Sequence, residues 1–253
     1  MPAEYPYVYP HTHSEAVVRH EEDLWDSSFR ENVCCARAME EVLRESEVPD
    51  DPAQLPPDCI APVLEKYGFK RVSFVLAHTV AETEENSALQ HLISDDVREW
   101  AKGQTVVSDS AFGRYYEVDT AIVLLNQLVR QTQEAYQALD LFGREQCCAG
   151  MYDGSTVGKV LVLSPNVLKE SALQPQNQLW LASGGFGCDP KASGRAIYAT
   201  CLSDGEEARW NREDFVGVLD EQYLPDWAQS RLDEIRAPKE THSEPTMGGI
   251  EMA

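Results

Sequence analysis

Residues 183–210 read SGGFGCDPKASGRAIYATCLSDGEEARW, with five glycines and with Arg195 directly after one of them. Either this stretch cradles a phosphate, or it is the turns of a small β-sheet. A phosphate loop needs glycines that lead from a strand into a helix N-terminus, so that backbone N–H groups converge on the anion. Here GGFG leads instead through Asp189-Pro190 to RAIYATCL, in which Ile197, Ala199 and Cys201 alternate with Tyr198 and Thr200 as in a half-buried strand. Neither GxGxxG nor GxxxxGK[ST] occurs in it. Asp204-Gly205 carries the hairpin signal, and EEARW returns as a further strand. The glycines predict turns between antiparallel strands.

Working outward, GKVLVL (158–163) and QLWLA (178–182) read as two more strands. Asn211 is expected to cap NREDFVGVL as a helix, and Pro225-Asp226 to open a last one. On the N-terminal side the pattern changes from period two to helical. Ser14 is expected to cap a long helix to about Glu47, with Trp25, Phe29, Asn32, Ala36, Met39 and Leu43 on one face. A proline-rich turn at 48–58 ends it. A helix through Ile60, Val63, Leu64 and Tyr67 is expected to end at Gly68, followed by one through Val72–Val80. Ser94 starts a further helix, and Asp119 or Thr120 the last. The fold class is therefore α+β: an N-terminal all-α helical domain, then a small antiparallel β-sheet domain with C-terminal helices. Boundaries are expected at 1–141 for the acidic helical domain, 142–156 for a linker, 157–235 for the α+β domain and 236–253 for a mobile tail.

Charge is the strongest compositional fact. Forty-three acidic residues face 21 basic ones, for a net of −22. That exceeds the charge of about 2–8 that keeps a small domain soluble. The excess is spread along the chain but densest at its start, where residues 1–51 hold 13 acids and 4 bases. Such a field repels nucleic acid and anionic membrane and attracts basic surfaces. MPAEYPYVYPHTHSEAVV has neither a basic n-region nor an apolar h-region, so no signal peptide is expected and the location is expected to be cytoplasmic. The seven cysteines include two adjacent pairs and no CxxC, which predicts reduced thiols and neither a disulfide framework nor a zinc site.

The candidate partner-binding surface is the start of the long helix: Glu21, Glu22, Asp23 and Asp26 for charge, with Trp25 and Phe29 as aromatic anchors. Lys191, Arg195, Arg209 and Arg212 form a candidate anion-binding group. Asn32, a polar amide within an apolar stripe, must be hydrogen-bonded and reads either as a structural tie, the favoured reading, or as a site residue. Weaker candidates are His11, His13 and His20 for a metal, and Glu206, Glu207, Glu213 and Asp214 for acid–base work. The simpler reading of the last four is solvation of a sheet edge and complementing a helix start. No nucleophile has a histidine placed beside it by sequence, and no cofactor, metal or catalytic residue is predicted.

YPYVYP, SSFRENVCC, YGFKRVSFVLAHTV and REWA occur in that order, followed by NQLWLASGGFGCDPKASGRAIYATCLSDGEEARWNREDFVGVL. Together they resemble an uncharacterised family of domains carried by Firmicutes and gut-bacterial mobile genetic elements, over most of residues 5–235. The resemblance implies a mobile-element setting and importance for Asn32, Arg71, Trp100, Gly187, Gly194, Arg195 and Trp210, but no activity. Joined to the charge, it leads to the expectation of a counter-defence inhibitor, anti-CRISPR or anti-restriction, that occupies the basic surface of a nucleic-acid-processing protein. The alternatives are a phosphate-substrate enzyme with a site between the domains that uses Arg195, Asp204 or Arg209, and an accessory scaffold of conjugative transfer machinery.

Overall fold

The computed structural model describes residues 7–46, 54–104, 112, 115–148 and 154–236. The predicted tail and parts of the predicted N-terminal extension, proline-rich turn and linker lie outside those residues. The chain divides into two compact units, Met1–Asp140 and Leu141–Ala253.

The first unit is helical. Helix α1 (His13–Arg19) starts two residues earlier than the Ser14 cap predicts, with Thr12 as its N-cap. The Thr12 side chain accepts from Glu15 N at 3.2 Å while the Glu15 carboxylate accepts from Thr12 N at 2.9 Å, a reciprocal capping box. The single helix expected over 14–47 is two, because His20 adopts the left-handed conformation (φ 59°) and ends the first. Helix α2 (Glu22–Glu45) then buries Trp25, Ser28, Asn32, Cys35, Ala36, Met39 and Leu43 along one stripe.

Helix α3 (Ala61–Glu85) is the centre of this unit. From Arg71 to Val80 it is buried on almost every side, which explains why its sequence has little amphipathic character. It packs against α2, against α4 (Asp95–Lys102) and against α5 (Ile122–Gln137). Ala121 stands at the N-cap of α5 without a side-chain cap, where the sequence pointed to Asp119 or Thr120. The shared core runs through Met39, Ile60, Leu76, Leu125 and Leu128. Side-chain amides of α5 then secure the preceding loop: Gln127 accepts from Leu55 N at 2.8 Å and Gln131 donates to Pro56 O at 2.8 Å.

The second unit is a five-stranded antiparallel sheet in the order β4-β3-β2-β1-β5. Its strands are β1 (Val160–Leu163), β2 (Leu179–Gly184), β3 (Ala196–Cys201), β4 (Glu207–Asn211) and β5 (Phe215–Val218). Helix α6 (Asp226–Arg236) lays Ala228 and Leu232 on the face made by Val160, Val162 and Leu179. The helix expected over 211–219 is instead a capped 3-10 turn followed by β5. Asn211 and Asp214 satisfy each other across Arg212–Asp214, and the next residues pair with β1. A short apolar run such as FVGV fits either period, and pairing with β1 decides it. Residues 144–148 belong to this unit. Cys148 N donates to Val218 O at 2.8 Å, Cys147 bridges Leu219, and Arg144 Nη1 donates to Val216 O at 2.7 Å, so this segment closes the β5 edge.

Within α3, Gly68 sits at φ 78° and ψ 162°, the kink at which one helical segment hands over to the next. Only glycine adopts that region without strain. Gly68→Ala is expected to lower stability by about 1–3 kcal/mol, read as an earlier urea midpoint at unchanged slope.

Candidate functional site

The predicted partner surface separates into an outside and an inside. Glu22, Asp23 and Asp26 are exposed on α2, whereas Trp25 is 8% exposed and Phe29 half-buried. Trp25 and Phe29 stack with centroids 5.1 Å apart, and Phe112 meets Trp25 edge-on at 4.9 Å. His13 packs against both Trp25 and Phe112, at 4.6 and 5.0 Å. Trp25 is therefore a brace and not an anchor for a partner, because its ring is already covered by its own domain. The alternation of acid and aromatic along VVRHEEDLWDSSF signals an amphipathic helix, and the aromatic half of that signal belongs to the core. Glu21 lies at the junction: the Tyr9 hydroxyl and then Arg19 donate to its carboxylate and hold it below the usual carboxylate range. Among the described residues, no ion pair involves Glu22, Asp23 or Asp26.

Behind the aromatics lies a buried polar hub that sequence spacing pointed to only through Asn32. Arg71, 4% exposed, donates to Asn32 Oδ1, to Ser28 O at 3.0 Å and to Tyr7 O at 3.0 Å. Tyr9 N donates to Ser28 Oγ at 2.9 Å. One guanidinium thus ties α3, α2 and the entry segment together. Its planar fork reaches these acceptors from two nitrogens at once, whereas a lysine would have to serve them all from a single one. Next to it, burial pushes the Cys35 thiol up to about 12, so it is an inert core group, whereas Cys34 is exposed.

The glycine-rich stretch is a loop between strands, as its spacing suggests. Arg212 organises it. Its guanidinium donates to Gly187 O at 2.8 Å and Asp189 O at 2.6 Å, with longer contacts of 3.4 Å to the carbonyls of Phe186, Ala192 and Gly194. This corrects the anion-binding reading of Arg212, since its donors turn inward to the loop's carbonyls. Gly187 is required by close approach, because a Cβ there would lie 2.3 Å from Arg195 O. The other cations are dispersed: Lys191 and Arg209 are exposed, and Arg195 pairs with Glu213 at 2.8 and 3.0 Å. Trp210 packs edge-on against Trp180 at 5.2 Å, on the opposite side of β4 from Arg209. Of the acid–base candidates, Asp214 caps Asn211 N, Glu213 holds Arg195 and Glu207 stands on the outer strand, so they do not converge. Among the described residues no cluster of His, Cys, Asp and Glu has the arrangement of a metal site, and no helix is long and apolar enough to cross a membrane.

Residues 8–137 match a family described as a protein of unknown function, DUF3849. The chain belongs to that family. The match covers the helical unit with its Arg71 hub and its acidic α2 face, and stops before the sheet unit. No curated protein and no solved structure gives a match.

If Arg212 is the clasp of the loop, Arg212→Ala is expected to speed amide hydrogen exchange at residues 185–194 by about tenfold or more, since losing a charge-assisted hydrogen bond costs about 1.5–3 kcal/mol. Arg212→Lys is expected to fall between the two, because an ammonium reaches fewer of the carbonyls. Exchange in α2 is expected to be unchanged in both variants.

Proposed function

We propose that this member of the DUF3849 family is an acidic interaction protein that docks the outer face of α2 on a cationic surface of a nucleic-acid-processing protein. The observation that carries the reading is the arrangement of Glu22, Asp23 and Asp26, three exposed carboxylates in no ion pair among the described residues, on a helix held rigid from behind by Trp25, Phe29 and Phe112. Rigid charge loses little entropy on binding and steers encounter with a groove of opposite sign. A dispersed net charge of −22 adds to this field. A groove that binds polyanions through lysines and arginines offers the same cations to such a surface, so the association weakens with salt. The specific form of the reading is a mobile-element counter-defence inhibitor, directed at a CRISPR effector or a restriction enzyme. Its support is the charge together with the sequence resemblance.

The test is displacement of DNA from purified CRISPR effectors and restriction enzymes by the full chain, at low and at raised salt. Wild-type protein is expected to displace DNA from at least one of them, with an affinity that falls steeply with salt. The combined variant E22K/D23K/D26K is expected to lose about tenfold or more in affinity while keeping its far-ultraviolet spectrum and cooperative melt. Wild-type displacement by that variant would remove α2 from the proposal, and no displacement of any of the enzymes would remove the function.

A further inference from the structure

The two edges of the sheet are treated differently. The β5 edge is closed by residues 144–148 of the same chain. At the other edge, the bonding between β3 and β4 follows from Cys201 N donating to Glu206 O at 2.8 Å and Arg212 N donating to Arg195 O at 2.8 Å. With Ile197 opposite Trp210 and Ala199 opposite Ala208, those residues form the hydrogen-bonded pairs. The backbone N–H and C=O groups of Glu207, Arg209 and Asn211 therefore point away from the sheet. Asn211 N is taken by the Asp214 carboxylate at 2.6 Å. Among the described residues, Glu207 and Arg209 remain as two outward-bonding residues, both exposed, with Ala208 between them.

We infer that this edge pairs with the β4 edge of a second copy of the chain, antiparallel about a two-fold axis at Ala208. Charge selects the register. Only residues whose backbone groups point outward can form the new hydrogen-bonded pairs, so the alternatives differ by two residues. An axis at Arg209 sets Arg209 against Arg209, and an axis at Glu207 sets Glu207 against Glu207. The axis at Ala208 sets Glu207 against Arg209 twice, and puts the small Ala208 side chains where the two backbones approach most closely. Both charged side chains lie on the face that also carries exposed Tyr198, which is directly opposite Arg209 within the chain. Each copy thus supplies the complement of the other, and the two sheets become one continuous sheet. This pairing is independent of the acidic face of α2.

Sedimentation of the full chain over a concentration series tests the pairing. The mass is expected to rise with concentration from 28.3 kDa toward twice that value. Glu207→Arg and Arg209→Glu are each expected to weaken the dimer by about tenfold or more, because both cross-strand pairs become like-charged. The double swap E207R/R209E is expected to restore it. An equimolar mixture of the two single variants is expected to form a heterodimer, in which every pair is again of opposite sign. Circular dichroism checks that each variant is folded. A wild-type mass of 28.3 kDa at every concentration, a dimer indifferent to the single swaps, or single variants that fail to associate when mixed would each overturn the inference.

Discussion

Arg71 carries a positive charge into the centre of the helical unit, and the way α2 lies on α3 depends on how that charge is met. Desolvating a guanidinium is costly unless good hydrogen-bond acceptors surround it. Here the acceptors come from Asn32, from the Ser28 carbonyl of α2 and from the Tyr7 carbonyl of the entry segment. Meeting them fixes the rotation of α2 about its own axis. That rotation turns Trp25 inward to the aromatic cluster and leaves Glu22, Asp23 and Asp26 on the outside. The acidic surface is thus a consequence of an internal tie.

The sheet unit uses the same device on a smaller scale. Arg212 gathers the carbonyls of the 186–194 loop, while the N–H groups of Cys188, Asp189, Lys191 and Ala192 are taken by acceptors within the loop itself. In both units a conspicuous arginine is architectural, and the exposed charge is mostly carboxylate.

Much of this could be read from the sequence, and the exceptions have physical causes. The α+β class, the first four strands, the hairpin at Asp204-Gly205 and the break at Gly68 follow from periodicity and turn chemistry, which are local. The fifth strand was not visible, because Asn211 and Asp214 do form a helical cap, but one that ends after a single turn when Phe215–Val218 find β1. The division between α1 and α2 rests on one left-handed residue, His20, which has no glycine to announce it. At the candidate surface, the charge pattern points to Glu22, Asp23 and Asp26, which are exposed, and to Glu21, which is half-buried and held by Tyr9 and Arg19. A helical stripe cannot say whether Trp25 faces a partner or its own core. Phe112 decides that, from 87 positions away in the chain. Arg71 and Arg212 were visible as residues, but apart from Asn32 Oδ1 their acceptors are backbone carbonyls, which leave no trace in sequence.

The inner polar residues of the family domain, Arg71 first among them, are its frame. Urea unfolding of Arg71→Met tests this most directly, because methionine fills much of the arginine stem's volume and provides no donor. Asn32 Oδ1 and the Tyr7 carbonyl would each lose a buried partner, at about 1–3 kcal/mol apiece, so the account predicts that the midpoint falls by the equivalent of about 2–6 kcal/mol. A midpoint equal to that of wild type would contradict it, and would mark Arg71 as a residue kept for what it binds and not for what it holds together.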